Sequence, residues 1–145
     1  METRISTILN HKGRKIVTVR PDQTIASFAY ALHAHSIGAT PVVDDQGDVI
    51  GMISERDIAR GMVQYGGAVV EQPVSSLMTR LVSHCSAQDT VIDVMQMMTS
   101  QRIRHVPVYE SGRLSGMVSI GDVVKQLLEE AQHDVESLKH YIMSA

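Results

Sequence analysis

The sequence predicts a mixed α/β (α+β) fold of two tandem strand-helix-strand-strand-helix repeats, packed as a pseudo-two-fold pair and followed by an extended C-terminal helix. Three observations predict it. Thr24–Val42 matches Thr90–Val108 at an offset of 66, with Thr24/Thr90, Ile37/Ile103, Pro41/Pro107 and Val42/Val108 identical. The offset then drops to 65, where Gly51/Gly116, Met52/Met117, Ser54/Ser119 and Asp57/Asp122 are identical, so one turn residue is missing from the second copy. Within each copy, apolar residues follow helical spacing in one stretch and form strand-length runs in others. Beyond the second copy, Val124, Leu128, Ala131, Val135, Leu138 and Ile142 are spaced 4-3-4-3-4, a heptad seam.

The elements follow in order. Residues 1–11 form an N-terminal segment, 12–66 the first repeat, 67–77 a linker, 78–128 the second repeat and 129–145 a helical extension. The first repeat opens with strand Ile16–Val19, then a helix presenting Ile25, Phe28, Ala29 and Leu32 to a core. Strands Thr40–Val43 and Val49–Ser54 flank the turn at residues 44–48, and the chain enters a helix at Ser54. The second repeat repeats this with strand Leu81–Cys85, a helix bearing Val91, Val94, Met95 and Met98, strands Val106–Tyr109 and Leu114–Ser119, and a helix entered at Ser119. The stretch from Gly66-Gly67 to Pro73 reads as the linker. A unit of about 60 residues buries too little surface to be stable alone, which requires the two to pair. The last helix, Asp122–Ile142, would run about 30 Å, longer than its repeat needs. Its seam is expected to join a second copy in a homodimer.

Composition removes several function classes. Of 145 residues, 43% are hydrophobic and 20% charged, enough to build a core and too little charge for disorder. Thirteen Lys and Arg against sixteen Asp and Glu leave −3, without the positive field that nucleic-acid binding needs. One Phe, four Tyr and no Trp offer few stacking platforms for single strands. The nine Met suit an adaptable core. No run approaches the ~18 apolar residues of a membrane span, and Met1–Arg4 leads into nothing resembling a signal peptide, which predicts the cytoplasm and no membrane partner. The single Cys85 has no disulfide partner within the chain and reads as a small buried residue. His33 and His35 are two apart and point in different directions on a helix, and the acidic turn at 44–48 lacks calcium-loop spacing. No metal site, phosphate-binding Gly-rich loop or nucleophile elbow is visible. The chain is therefore expected not to be an enzyme, with no catalytic residues and no catalytic cofactor.

Ser54-Glu55-Arg56-Asp57 and Ser119-Ile120-Gly121-Asp122 both fit a capping box, in which Ser accepts from an N3 backbone N–H and the N3 carboxylate reaches back. Capping alone explains an isolated S-x-x-D. Here each motif follows Gly-Met-(Ile/Val)-Ser and an apolar-Pro-Val strand. Those segments are Gly38-Ala39-Thr40-Pro41-Val42-Val43 with Ile50-Gly51-Met52-Ile53, and Arg104-His105-Val106-Pro107-Val108 with Ser115-Gly116-Met117-Val118. This doubled pattern resembles the cystathionine-β-synthase (CBS) domain pair, or Bateman module, over about Lys12–Glu129. The chain looks like a small stand-alone CBS-pair protein of bacterial type.

That resemblance implies a ligand. The aspartate of each motif, Asp57 and Asp122, would accept from the ribose hydroxyls of an adenosine-containing molecule, since a carboxylate offers two acceptor oxygens. Ser54 and Ser119 stand at helix N-termini that favour phosphate. The adenine would lie against Val17, Thr18, Gly38, Ala39 and Thr40 in the first site, and Ser83, His84, Arg104, His105 and Val106 in the second. Arg56 could grip phosphate in the first motif, whereas the second has Gly121 there and would borrow Arg102 or Arg104. Lys12, Arg14 and Lys15, just before the first strand, are further candidate phosphate contacts. The implied function is a regulatory sensor that binds an adenine nucleotide (AMP, ADP, ATP, NAD or S-adenosylmethionine) in clefts of the paired repeats. An unidentified protein partner would read the conformational shift. Two alternatives remain open: a ligand-free dimerisation module, and a metal or other metabolite sensor.

Overall fold

Thr24 and Thr90 open equivalent helices, and around each the chain builds a self-contained unit. The computed structural model describes residues 3–80 and 82–144. One unit spans Lys15–Ser83; the other joins the residues up to Arg14 with those from His84 onward.

The Lys15–Ser83 unit begins its helix α2 (Ile25–His35) where Thr24 Oγ1 accepts from the Ser27 N–H at 3.1 Å, an N-cap that satisfies a donor the helix itself cannot. The helix buries Ile25, Phe28 and Leu32. Ala29, expected on that face, is exposed; at 100° per residue it lies about 67° from the centre of the stripe the other three define. Strands β1 (Ala39–Val43) and β2 (Val49–Ser54) form an antiparallel hairpin that sets Ala39 opposite Ser54 and Thr40 opposite Ile53. Helix α3 (Glu55–Tyr65) follows directly. The expected strand Ile16–Val19 shrinks to one parallel bridge between Val19 and Val42, held by the Val19 N–H to the Pro41 carbonyl (3.1 Å) and the Val43 N–H to the Val19 carbonyl (2.9 Å).

Residues 67–77 do not act as a linker. They form 3-10 turns at Gly66–Glu71 and Val74–Ser76, and Val69, Val74, Leu77 and Met78 join the buried cluster around Phe28 and Ile53. Backbone hydrogen bonds pin the segment: Val74 N–H to the Gln23 carbonyl at 2.7 Å, Ser75 N–H to the Pro21 carbonyl at 3.0 Å, and Ile25 N–H to the Gln72 carbonyl at 2.8 Å. Short 3-10 turns give apolar residues neither a helical nor a strand period, so the segment looks like a connection in the sequence while it is core in the fold.

In the other unit, β3 (Cys85–Ser86) pairs parallel with β4 (His105–Glu110), and β4 antiparallel with β5 (Arg113–Ser119). Leu81, expected to open the first strand here, lies outside the described residues. Helix α4 (Val91–Gln101) buries Val91, Val94 and Met98, with Met95 packed against them. Helix α1 (Ile5–Lys12) completes this core. Its Ile5, Ile8 and Leu9 are buried with Val106, Val118 and Val123, so the N-terminal segment expected outside the repeats belongs inside one. Helix α5 (Ile120–Ser144) is continuous through residue 129, where an extension was expected to begin. It buries Val123, and residues 131–144 are exposed throughout.

The two completing segments correspond. Ile5, Ser6, Ile8 and Leu9 occupy in one unit the places of Val74, Ser75, Leu77 and Met78 in the other, an offset of 69. The Ile5 N–H reaches the Asp89 carbonyl (2.9 Å), the Ser6 N–H the Ala87 carbonyl (2.9 Å), and the Val91 N–H the Thr3 carbonyl (2.8 Å), repeating the three bonds of residues 72–75. A Cβ on Gly51 would meet Met78 Sδ at 2.8 Å, and one on Gly116 would meet Leu9 Cδ2 at 2.7 Å. Each repeat is thus finished by the segment that precedes the other repeat in sequence, and each glycine is the gap that receives it.

Candidate functional site

In both repeats the strand that enters through Pro is tied to the start of the S-x-x-D helix. The Gly38 carbonyl accepts from the Glu55 N–H at 3.0 Å, and the Arg104 carbonyl accepts from the Ile120 N–H at 2.8 Å. The hairpin registers complete the arrangement, pairing Ala39 with Ser54 and His105 with Ser119. Gly38, Ala39 and Thr40 are therefore brought beside Ser54 and Asp57, as Arg104, His105 and Val106 are beside Ser119 and Asp122. Thr40 Oγ1 is buried without a hydrogen-bond partner, the one such side-chain atom found among the described residues. Burying a hydroxyl in that state costs free energy.

Asp57 is 6% exposed because it closes the capping box of α3. Its Oδ2 accepts from the Ser54 N–H at 2.8 Å and from Ser54 Oγ at 3.3 Å. Its Oδ1 accepts from Arg60, whose guanidinium also reaches the Leu77 carbonyl at 3.3 Å. Arg60, one turn along α3, is a member of the site that sequence reasoning missed; the i,i+3 spacing Asp57-x-x-Arg60 was the available signal. Arg56, expected to serve phosphate, is exposed on the first turn of α3.

Asp122 builds the same box, its Oδ2 accepting from the Ser119 N–H at 2.9 Å while its own N–H donates to Ser119 Oγ at 3.2 Å. Its cation is different. Lys12, at the end of α1, places Nζ 2.7 Å from Asp122 Oδ2 and 2.9 Å from the Met117 carbonyl. Arg14 pairs with Glu110 at 3.1 Å and with Asn10 at 2.9 Å. Both cations therefore serve the second repeat's unit, a correction to their expected place before the first strand; α1 docks there through its apolar face and carries them along. Arg14 and Ser115 hold the Glu110 carboxyl below its ordinary value.

Burial pushes the Asp122 carboxyl up, but the Lys12 ammonium and the Ser119 donors outweigh it, so the group lies below its ordinary value of 3.8. Such a carboxylate contributes stability that is complete above its unfolded pKa and fades as pH falls through the lower folded value. Lys12→Met should raise the Asp122 pKa in a carbon-detected NMR titration, because the burial remains and the ammonium is gone. Asp122's share of the acid-side loss of stability should shrink, because its folded pKa moves toward the unfolded value that sets where the loss begins, with an effect at neutral pH of no more than ~1 kcal/mol for a pair this accessible. An unshifted Asp122 titration would contradict the pairing.

The remaining candidates are more scattered. Val17 is half-buried and Thr18 exposed, leading into the Val19 bridge. Lys15 is exposed. Arg102 caps α4 in a left-handed conformation (φ 55) with its N–H on the Met98 carbonyl, the place Ser36 (φ 53) holds at the end of α2. Ser83 is the last residue of the Lys15–Ser83 unit, and at His84 the chain returns to the other unit. His84 stacks on Tyr109, ring centroids 5.0 Å apart at 34°, an aromatic pair that the sequence reading did not foresee; the parallel β3–β4 pairing creates it. Burial, with Asp89 adding, pushes the Cys85 thiol up to about 12, so at neutral pH it is a packing group rather than a nucleophile. Among the described residues no cluster of three or more His, Cys, Asp or Glu is gathered to hold a metal ion, and no helix is long and apolar enough to cross a membrane.

Comparison with known proteins matches this geometry. The CBS-domain family profile fits residues 9–64 and again 74–129. A crystal structure of a CBS-domain containing protein from Agrobacterium tumefaciens superposes with a TM-score of 0.83 at 47% identity, covering 86% of this chain and 93% of that one. The CBS domain-containing protein YhcV of Bacillus subtilis is 33% identical over 128 residues, 88% of this chain and 90% of its own length. The CBS domain pair of protein MJ0100, solved with 5'-methylthioadenosine and S-adenosyl-L-methionine, superposes with a TM-score of 0.80 at 26% identity, covering 90% of this chain and 99% of that one.

Proposed function

Because the chain belongs to the CBS-domain family, we propose that it is a non-enzymatic regulatory protein that binds an adenosine-containing ligand at its two S-x-x-D sites. It acts in the cytoplasm as a homodimer, and ligand binding shifts its conformation for a protein partner that reads the change. The observation that carries this reading is the repeated juxtaposition of Gly38–Thr40 with Ser54 and Asp57, and of Arg104–Val106 with Ser119 and Asp122. Backbone groups of the strand entry suit an adenine edge, and the carboxylate suits a pair of ribose hydroxyls. The adenosyl ligands of the MJ0100 domain pair support the class. The ligand can shift conformation only through a difference in its affinity for the two states.

One observation favours the ligand-free module instead. Both aspartates are already engaged, by their capping boxes and by Arg60 or Lys12, as purely structural caps would be. Calorimetry against AMP, ADP, ATP, NAD and S-adenosylmethionine separates the two. The regulatory reading expects at least one of these to bind more tightly than about 1 mM, about −4 kcal/mol, with Asp57→Ala and Asp122→Ala each removing binding in its own repeat. A wild-type chain that binds none of them refutes it. The aspartate variants would then show only the loss of about 1 kcal/mol that a missing cap costs.

A further inference from the structure

Helix α5 outruns its unit and carries an uncovered apolar seam. Leu128, Val135, Leu138 and Ile142 are 58%, 51%, 60% and 63% exposed, and Val124 and Ala131 on the same line are exposed as well. The opposite side of the helix, from Gln126 to Asp134, lines a groove of about 500 Å³ against Thr3, Arg4, Ser6 and Thr7 at the start of α1 and just before it, Asp134 standing at the edge between groove and seam. At 3.6 residues per turn the seam lies roughly half a revolution from that groove, so α1 does not cover it. We propose that the occupant of this seam is the same segment of a second copy, running parallel as a two-stranded coiled coil from Val124 to Ile142.

The side chains choose both the partner and the direction. With 4-3 spacing, Leu128, Val135 and Ile142 fall at a positions and Val124, Ala131 and Leu138 at d positions. In the last two turns β-branched residues at a alternate with leucine at d, the combination that favours two parallel strands. The flanking e positions are Lys125, Gln132 and Lys139, and the g positions Leu127, Asp134 and Tyr141. In a parallel pair each Asp134 meets the Lys139 of the other helix, five residues on, giving two opposite-charge contacts. In an antiparallel pair e faces e and g faces g, which opposes Lys125 to Lys139 and Asp134 to itself. Exposed, polar-edged seams of this kind are interaction surfaces rather than idle apolar residues.

The inference deepens the self-association in the proposed function and is independent of its ligand. Light scattering on the full chain should give twice the chain mass of 15.9 kDa, and Val135→Glu with Leu138→Glu should reduce it to one chain with unchanged helicity. A monomeric wild type overturns the homodimer and this inference together. A double variant that stays dimeric overturns the seam alone. Direction is read separately. Lys139→Glu should weaken the dimer roughly two- to thirty-fold, as two surface ion pairs turn repulsive, and adding Asp134→Lys should restore it. If Lys139→Glu tightens the dimer, the helices run antiparallel. Leu138→Cys should form a symmetric disulfide on oxidation in the parallel pair, without competition from the buried Cys85; failure to cross-link a proven dimer also overturns the direction.

Discussion

Phe28→Ala is expected to destabilise the Lys15–Ser83 unit by about 3–5 kcal/mol, the range for truncating a buried aromatic ring. Phe28 is the only phenylalanine in the chain and is fully buried. Its ring sits in one cluster with Val19 from the single bridge, Val42 from β1, Ile53 at the end of the hairpin, and Val69, Val74 and Leu77 in and just after the 3-10 turns. Removing the ring empties a space that four separate segments meet, and none can collapse into it without breaking its own backbone bonds. Against the 5–15 kcal/mol that holds a typical domain folded, such a loss moves the urea midpoint far, while Tyr30→Ala, 74% exposed on the same helix, should stay within about 0.5 kcal/mol of wild type. A Phe28→Ala loss below about 1 kcal/mol would mean that the 3-10 segment is not packed on α2.

That test bears on what was readable in the sequence. The repeated hairpins and the S-x-x-D helices were legible because Pro41/Pro107, Gly51/Gly116, Ser54/Ser119 and Asp57/Asp122 do the same local work twice: each is demanded by its own turn, strand or cap. Residues 3–9 and 72–78 were misread because their work is done on the other repeat. Ile5-Ser6-Thr7-Ile8-Leu9 and Val74-Ser75-Ser76-Leu77-Met78 match at an offset of 69, not 66, and only one of them folds as an α-helix. The cations followed the same logic. Arg60 lies within helical reach of its aspartate and could have been found, whereas Lys12 reaches Asp122 across 110 residues and only because α1 docks where it does.

The docking of α1 leads to the second large effect. Leu9→Ala should destabilise the unit around the second repeat by about 2–5 kcal/mol, as expected for a fully buried leucine, although α1 precedes the first repeat in sequence. Leu9 is 0% exposed and lies where Gly116 leaves room for it, within 2.7 Å of the place a Cβ would take. Its loss therefore removes contacts from the β4–β5 hairpin as well as from the core under α4. Hydrogen exchange resolves the location: protection should fall in α4, β4 and β5 while α2 and β1 keep theirs, since α1 contributes to one unit only. Gly116→Val offers the complementary test, because it fills the same gap from the hairpin side and forces Leu9 to move, at about 1–3 kcal/mol for overpacking. The two changes share one space and cannot be additive: with Leu9 already reduced to Ala, Gly116→Val should cost less than it does alone, and equal costs in both backgrounds would show that Leu9 does not occupy the gap. Lys12 lies one turn along the same helix, so loosening α1 through Leu9→Ala should also raise the Asp122 pKa, linking a packing change in α1 to the charge on the carboxylate its last residue holds.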